Sequence, residues 1–263
     1  VTADTDPIRL LTWNIHAGIG PDGRYDLDRI IALIRRHAPD IIALQEVDSR
    51  GHGVTSPFAL LATALGSHVA EARTIVAPDG HYGHLLISRW PLSATRLHDL
   101  SLAGQEPRCA IETIVSTPGA ALHVTAVHLG LKLSERRRQA AMLTRIAGSA
   151  TDTSIMLGDF NDWTWRGAVR KGLAQVLPAR TPQRTFPARW PLLMLDRVYC
   201  RPHGALIRSW VDPDGRHASD HLPLIAEIDL ASTTRIPPDS PSGTVEPLPA
   251  ACRFPHHARR SNR

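Results

Sequence analysis

Ser154-Ile155-Met156-Leu157-Gly158-Asp159-Phe160-Asn161 reads as a short apolar strand that breaks at a glycine and delivers a carboxylate and an amide at its end. The same event recurs along the chain. Asn14 follows Leu10-Leu11-Thr12-Trp13, Gln45-Glu46 ends Ile41-Ile42-Ala43-Leu44, and His128 ends Val124-Thr125-Ala126-Val127. Asp196 follows Leu192-Leu193-Met194-Leu195, and Asp220-His221 precedes Leu222-Pro223-Leu224-Ile225. Alone, each is the solvated rim residue or satisfied edge histidine that strand ends ordinarily carry. Six at one class of position point to a site assembled at a sheet rim, where loops held by a rigid scaffold carry the chemistry.

Outward from this strand, eight further β-branched segments are expected: Ile8–Ile15, Ile41–Val47, Leu85–Ser88, Ala110–Ser116, Leu122–His128, Leu195–Cys200, Leu206–Trp210 and Leu222–Ile228. Four helices are expected over 27–38, 57–66, 134–147 and 165–173. Asp26 is placed to cap the first and Pro39 to stop it, and Ser134 is placed to cap the third. So many strands with so few helices, and no regular alternation of the two, argue against a doubly wound parallel sheet. The expected fold is α/β: two mixed β-sheets packed face to face with helices outside. Residues 1–230 form the expected domain. Prolines cluster and periodicity vanishes after Ile236, so 231–263 reads as a Pro/Arg-rich disordered tail.

Composition narrows the classes further. At 263 residues and 43% hydrophobic content the chain can bury a sizeable core. No apolar run approaches the roughly 20 residues of a membrane-spanning helix. The formal charge is +5, but the tail carries five arginines against Asp239 and Glu246, which leaves about +2 on the body. Cys109, Cys200 and Cys252 form no CxxC pair, which excludes a disulfide framework and a thiolate zinc site and fits a reducing, cytoplasmic compartment. The polar, acidic start lacks the features of a secretory signal, and an earlier, trimmed signal stays open. A monomer is expected.

The chemistry open to the rim set is limited. Glu46, Asp220 and the amide of Asn14 are hard oxygen donors suited to Mg²⁺ or Mn²⁺, ions that bind well beside substrate phosphate. His221 backed by Asp196 is placed as a general base or a phosphate-contacting acid. Asp159 can orient or deprotonate a water, while Asn161 can donate to a phosphoryl oxygen as charge builds there. Together they read as metal-assisted hydrolysis of a phosphate ester. No GxSxG, Walker-type or Rossmann glycine motif competes.

In order and spacing, Trp13-Asn14-Ile15, Gln45-Glu46-Val47, His128-Leu129, Gly158-Asp159-Phe160-Asn161, Leu195-Asp196-Arg197-Val198 and Ser219-Asp220-His221-Leu222-Pro223-Leu224 resemble the endonuclease/exonuclease/phosphatase superfamily, the deoxyribonuclease I-like enzymes. The resemblance runs from about residue 8 to 229 and implies a four-layered α/β sandwich. It implies Glu46 as principal metal ligand, supported by Asn14 and Asp220. It further implies Asp159 as the water-activating aspartate, Asn161 as the transition-state amide, His128 as a phosphate contact, and His221 as the essential histidine fixed by Asp196. His16 stands where some repair enzymes carry an aspartate near the metal, which puts a second metal-binding carboxylate in doubt. Arg108 and His84 lie in stretches similar to family segments, each a candidate substrate contact or a packing residue. The stretches His128–Gln139 and Thr185–Arg197 are similar to small bacterial members from which no substrate carries over.

For substrate, a phosphodiester in DNA or RNA leads, ahead of a lipid-headgroup or small-molecule ester and of a catalytically inactive binding module. The Arg136-Arg137-Arg138 run is expected as a solvated helix face, Trp163 and Trp165 as wedges against the domain. No exposed apolar hairpin is anticipated.

Overall fold

The computed structural model describes residues 6–51, 56–149, 153–164 and 167–229. The expected tail at 231–263, Cys252 and Trp165 lie outside them.

The chain runs β1 (Ile8–Asn14), α1 (Leu27–Arg36), β2 (Ile41–Asp48), α2 (Pro57–Leu65), β3 (His68–Ala77), β4 (Gly80–Ser88), β5 (Leu92–Asp99) and β6 (Cys109–Ser116). It continues through β7 (Ala121–His128), α3 (Leu133–Ser149), β8 (Ser154–Asp159), α4 (Ala168–Val176), β9 (Ala179–Arg180), β10 (Asp196–Arg201), β11 (Leu206–Val211) and β12 (Leu224–Ile228). Two six-stranded sheets result, ordered β11-β12-β1-β2-β4-β3 and β5-β6-β7-β8-β10-β9. Each is mixed, with one parallel pair, β1–β2 or β7–β8, among antiparallel neighbours. A parallel pair needs a crossover, and α1 and α3 supply the two.

Side-chain alternation along the strands builds the layers. Leu10, Ile41, Ala43, Leu86, Ile111, Val124, Leu157 and Val198 fill the space between the sheets. The intervening residues Leu11, Trp13, Ile42 and Leu44 meet Ile30, Ile34, Phe58 and Leu61 of α1 and α2. Val127, Met156 and Tyr199 meet Leu143, Ile146 and Leu173 of α3 and α4 on the other flank. Each such fully buried aliphatic side chain contributes about 1.5–3 kcal/mol. The order helix, sheet, sheet, helix is the expected four-layered sandwich.

Helix α1 starts as anticipated, with Asp26 accepting from the Arg29 N–H at 3.0 Å. Ser134 falls inside α3 rather than capping it. Strands β3, β5 and β9 were not anticipated, and β4 starts earlier than its apolar stretch. Strands β3, β5 and β9 are sheet edges, so their polar residues satisfy solvent on one side and show little of the periodic apolar signature of a central strand. Among the described residues no helix is long and apolar enough to cross a membrane.

A candidate active site at the sheet rim

The two parallel pairs end at the same rim. Asn14 stands in register with Gln45 and His128 with Asp159, so both pairs deliver their C-terminal ends there. Asp196, the first residue of antiparallel β10, faces Asp159 directly. His221 lies just before β12, which pairs with β1.

Local irregularities aim the side chains. Between the Leu44–Leu85 and Val47–Gly83 pairs, β2 carries two residues and β4 one, a bulge in which Glu46 adopts φ +57°. Without the extra residue the Glu46 carboxylate would stay in the ladder's alternation. Gly158 sits at φ +147°, and a Cβ there would meet the Val127 carbonyl oxygen at 2.0 Å, so only glycine lets β8 approach β7 just before Asp159. Asn161, at φ +48°, folds its N–H back onto Asp159 Oδ1 at 2.9 Å and donates through Nδ2 to the Leu129 carbonyl at 2.9 Å. Backbone outliers gathered at one rim are characteristic of functional sites.

Asp159 is the hub. Its Oδ2 accepts from Asn14 Nδ2 at 3.1 Å, with His128 Nε2 at 3.7 Å and His221 Nε2 at 3.9 Å. The same Asn14 nitrogen reaches Glu46 Oε1 at 2.9 Å, so one amide spaces two carboxylates. His221 Nδ1 bonds Asp196 Oδ2 at 2.7 Å, which fixes the ring and leaves Nε2 toward Asp159. Phe186 stacks obliquely on the His221 ring at 4.8 Å. Ser219 ties β1 to the segment before β12, donating to the Asn14 carbonyl at 2.7 Å and accepting from the His221 N–H at 3.1 Å.

Burial and charge then set protonation. Burial, and next to it the Asp196 charge, push the Asp159 carboxyl up to about 6. Burial pulls His221 down, but Asp196, Asp159 and Asp220 outweigh it and raise the imidazole to about 10. His128 goes the other way, held well below its ordinary value by burial and the Arg108 guanidinium. Arg108 Nη1 lies 3.0 Å from His128 Nδ1. An arginine only donates, so Nδ1 must accept and the His128 proton sits on Nε2, facing the carboxylates.

Every expected site residue except Arg108 and His84 gathers around Asp159 at this rim, most of them buried and only Glu46 and Asp220 open to solvent. Arg108 is buried behind His128 and ion-paired to Glu106 at 2.8 Å. His84 is buried, brought down to about 4 by burial and Arg108, and is closed from solvent. His16 joins the rim: its Nδ1 lies 3.5 Å from Asp220 Oδ1 and 3.8 Å from Glu46 Oε2. The sequence signal was its position two residues after Asn14. Phe186 and Ser219 lie inside the quoted stretches, but nothing there signalled their roles, which are contacts across more than thirty and two hundred residues.

Three other expectations are corrected. Arg136 is buried, not solvated, because its guanidinium holds the carbonyls of Gly130 and Leu131. Trp163 is 55% exposed rather than buried against the domain. An exposed apolar hairpin does exist: Phe186 and Leu193 pair in antiparallel fashion, and Trp190 and Leu192 between them are 70% and 65% exposed.

Two donor sets bear on a cation. Asp159, Asp196 and His221 offer ligand atoms within 4.8 Å of one another, all buried, and this group could hold a metal ion. Glu46 and Asp220 offer carboxylates that remain open to solvent.

The sequence profile of the Endonuclease/Exonuclease/phosphatase family matches residues 11–221, and the chain belongs to that family. Its members are hydrolases acting on phosphoester bonds, and they depend on a divalent metal. The uncharacterized protein YbhP of Escherichia coli is 36% identical over 249 residues, covering 84% of this chain and 96% of that protein. Among solved structures, an endonuclease/exonuclease/phosphatase from Beutenbergia cavernae superposes with a TM-score of 0.69 at 23% identity, over 84% of this chain and 71% of that one. TDP2 of D. rerio complexed with a single-strand DNA product has a TM-score of 0.62 at 16% identity, over 86% and 100%. The Bacteroides thetaiotaomicron mannosyl-6-phosphatase Bt3783 has a TM-score of 0.65 at 14% identity, over 85% and 100%. These likenesses share the fold and leave the substrate undetermined.

Proposed function

We propose that the chain is a divalent-metal-dependent phosphodiesterase acting on nucleic acid. The observation that carries this reading is the crowding of Asn14, Asn161, His128 and His221 around the single Asp159 carboxylate, with Glu46 and Asp220 open beside it. Glu46 and Asp220 suit Mg²⁺ or Mn²⁺ better than the buried Asp159–Asp196–His221 group does. Such ions keep several waters and need access to solvent, and His221 Nδ1 is already bonded to Asp196. Bound there, the ion would supply electrostatic stabilisation of charge on a phosphoryl oxygen.

This chain's residues account for the rest. Asn14 holds Glu46 and Asp159 apart at a fixed spacing, and His16 flanks Glu46 and Asp220. Asp159, ionised above about pH 6, orients and deprotonates the attacking water. His221, protonated through neutrality, donates from Nε2 to a phosphate oxygen, and His128 donates its Nε2–H to another. Asn161 has a second amide hydrogen beyond the one given to Leu129, directed to the oxygen on which charge builds. Asp196 fixes His221, while Arg108 and, behind it, His84 support His128 from the buried side rather than meeting substrate.

Nucleic acid is favoured by the exposed indoles of Trp163 and Trp190, which offer flat faces for base stacking. The apolar Trp190–Leu192 tip supports a second reading, a lipid-headgroup phosphodiester held at an interface.

The test is hydrolysis of bis-p-nitrophenyl phosphate. Activity is expected only with Mg²⁺ or Mn²⁺ and is abolished by Glu46→Ala or His221→Ala. Activity that survives EDTA, or both substitutions, overturns the mechanism. A panel of plasmid DNA, RNA oligonucleotide, sphingomyelin and inositol phosphates then separates the substrates, and cleavage of the lipid alone would sink the nucleic-acid reading.

A further inference from the structure

Beside the catalytic rim, the starts of α3 and α4 with Asp162 and Thr164 border a cavity of about 330 Å³ whose lining, among the described residues, includes Leu133, Arg136, Arg137, Asp162, Ala168 and Lys171. Its floor is unusual. Arg136 is only 1% exposed, and its Nη1 donates to the Gly130 and Leu131 carbonyls, yet Nε and Nη2 are buried with no hydrogen-bond partner. The neighbouring carboxylate does not satisfy them. Asp162 Oδ1 stands 3.9 Å from Nε, and the two oxygens of Asp162 accept from Thr164 Oγ1 at 3.1 Å and from the Arg170 N–H at 3.2 Å.

A buried guanidinium left with unpaired nitrogens is unfavourable unless an acceptor completes it. Burial lowers the Arg136 pKa, and Asp162, Glu135 and Asp159 act against that. Among the described residues that line this cavity, Arg136, Arg137 and Lys171 meet one already engaged carboxylate, Asp162. The group that fits is a compact anion with several acceptor oxygens, which is the chemistry of phosphate. Covalent neighbours place the cavity against the catalytic end. Asp162 follows Asn161, and the carbonyls held by Arg136 follow Leu129, whose own carbonyl accepts from Asn161.

We propose that this cavity is a second anion subsite that takes a phosphate of the substrate other than the one being cleaved. Its part in catalysis rests on the phosphodiesterase reading, while its capacity to hold phosphate does not. The site selects substrates with at least two phosphate groups, such as a polynucleotide, over simple diesters with one.

The probe is inorganic phosphate, titrated calorimetrically into the full chain in EDTA. Saturable binding is expected, weakened at least tenfold by Arg137→Ala with Lys171→Ala, at unchanged circular dichroism. Arg208→Ala, on the outer strand β11, should leave it intact. No saturable binding, or binding indifferent to the double substitution, overturns the subsite. With Mg²⁺ present, a dinucleotide carrying an additional terminal phosphate should show kcat/KM at least tenfold above the one lacking it, and the double variant should erase that advantage. Equal kcat/KM for the two dinucleotides in the unsubstituted protein also overturns it. Failure to hydrolyse any diester while phosphate still binds would remove the catalytic reading and leave the subsite standing.

Discussion

The indole Nε1 of Trp13 donates to the backbone carbonyl of His221 at 2.8 Å, joining the first strand to the segment that opens the last across 208 residues. Trp13 is fully buried beneath the rim, so this bond fixes the height of His221 relative to Asn14, the next residue along β1. Trp13→Phe keeps much of the apolar bulk and removes the donor. It should destabilise the fold by about 1–3 kcal/mol, the cost of an orphaned buried carbonyl, and lower kcat about tenfold with KM nearly unchanged. Thermal unfolding and steady-state kinetics on bis-p-nitrophenyl phosphate check both; a full kcat would show that the height of His221 is set elsewhere.

The opposed shifts of Asp159 and His221 fix the expected pH profile. The proposed mechanism needs Asp159 ionised and His221 protonated, so activity should rise through about pH 6 and fall through about pH 10. Asp196→Asn removes the charge that most raises His221. The alkaline limb should then move down by at least one pH unit, while the acidic limb, relieved of the like charge on Asp159, moves down also. A profile of kcat/KM against pH for both proteins decides it; an unmoved alkaline limb would dissociate His221 from the reaction.

Arg108 governs His128 from behind. Removing its positive charge and its donor, as in Arg108→Leu, should let His128 protonate more readily, so its pKa rises. Following the His128 ring proton by NMR through an acid titration gives the answer. No change in that titration would mean that burial, with His84 and His221, sets the value without Arg108.

On β6, Glu112 takes His123 Nε2 at 2.6 Å on one oxygen and His98 Nε2 at 2.5 Å on the other. Burial alone would raise its pKa, but the two histidines bring it down to about 2 from an ordinary 4.5. A depressed carboxylate stabilises the fold fully above about pH 4.5 and loses that contribution as pH falls toward 2. The expected loss is about 1–3 kcal/mol. The double substitution His98→Gln, His123→Gln should flatten this part of the stability curve, measured by urea unfolding between pH 6 and 3. An unaltered acid slope would place the loss at other carboxylates.

Much of the central fold was legible because central strands must be apolar on both faces. Leu10-Leu11, Ile41-Ile42 and Ile155-Met156 declare themselves through the two layers they fill. Of the edge strands only β11 did so, since β3 and β5 exist through pairing with β4 and β6 rather than through burial of their own. Arg136 shows the converse. Within a run of three arginines nothing distinguishes the one that is buried, because its partners are backbone carbonyls, which every sequence has.

The amino-acid sequence by itself determined which residue types end the strands, and through six motifs in order it determined the family and the set of acids, amides and imidazoles available for chemistry. Only the tertiary structure decided their geometry: that Asp159 is the hub, that a bulge turns Glu46 outward, that Arg108 stands behind His128, and that Arg136 floors a cavity. The reason is physical. Composition and periodicity report what a segment buries, whereas register, bulges and left-handed residues are set by partners distant in the chain, and distances of 3 Å between such partners leave no local trace.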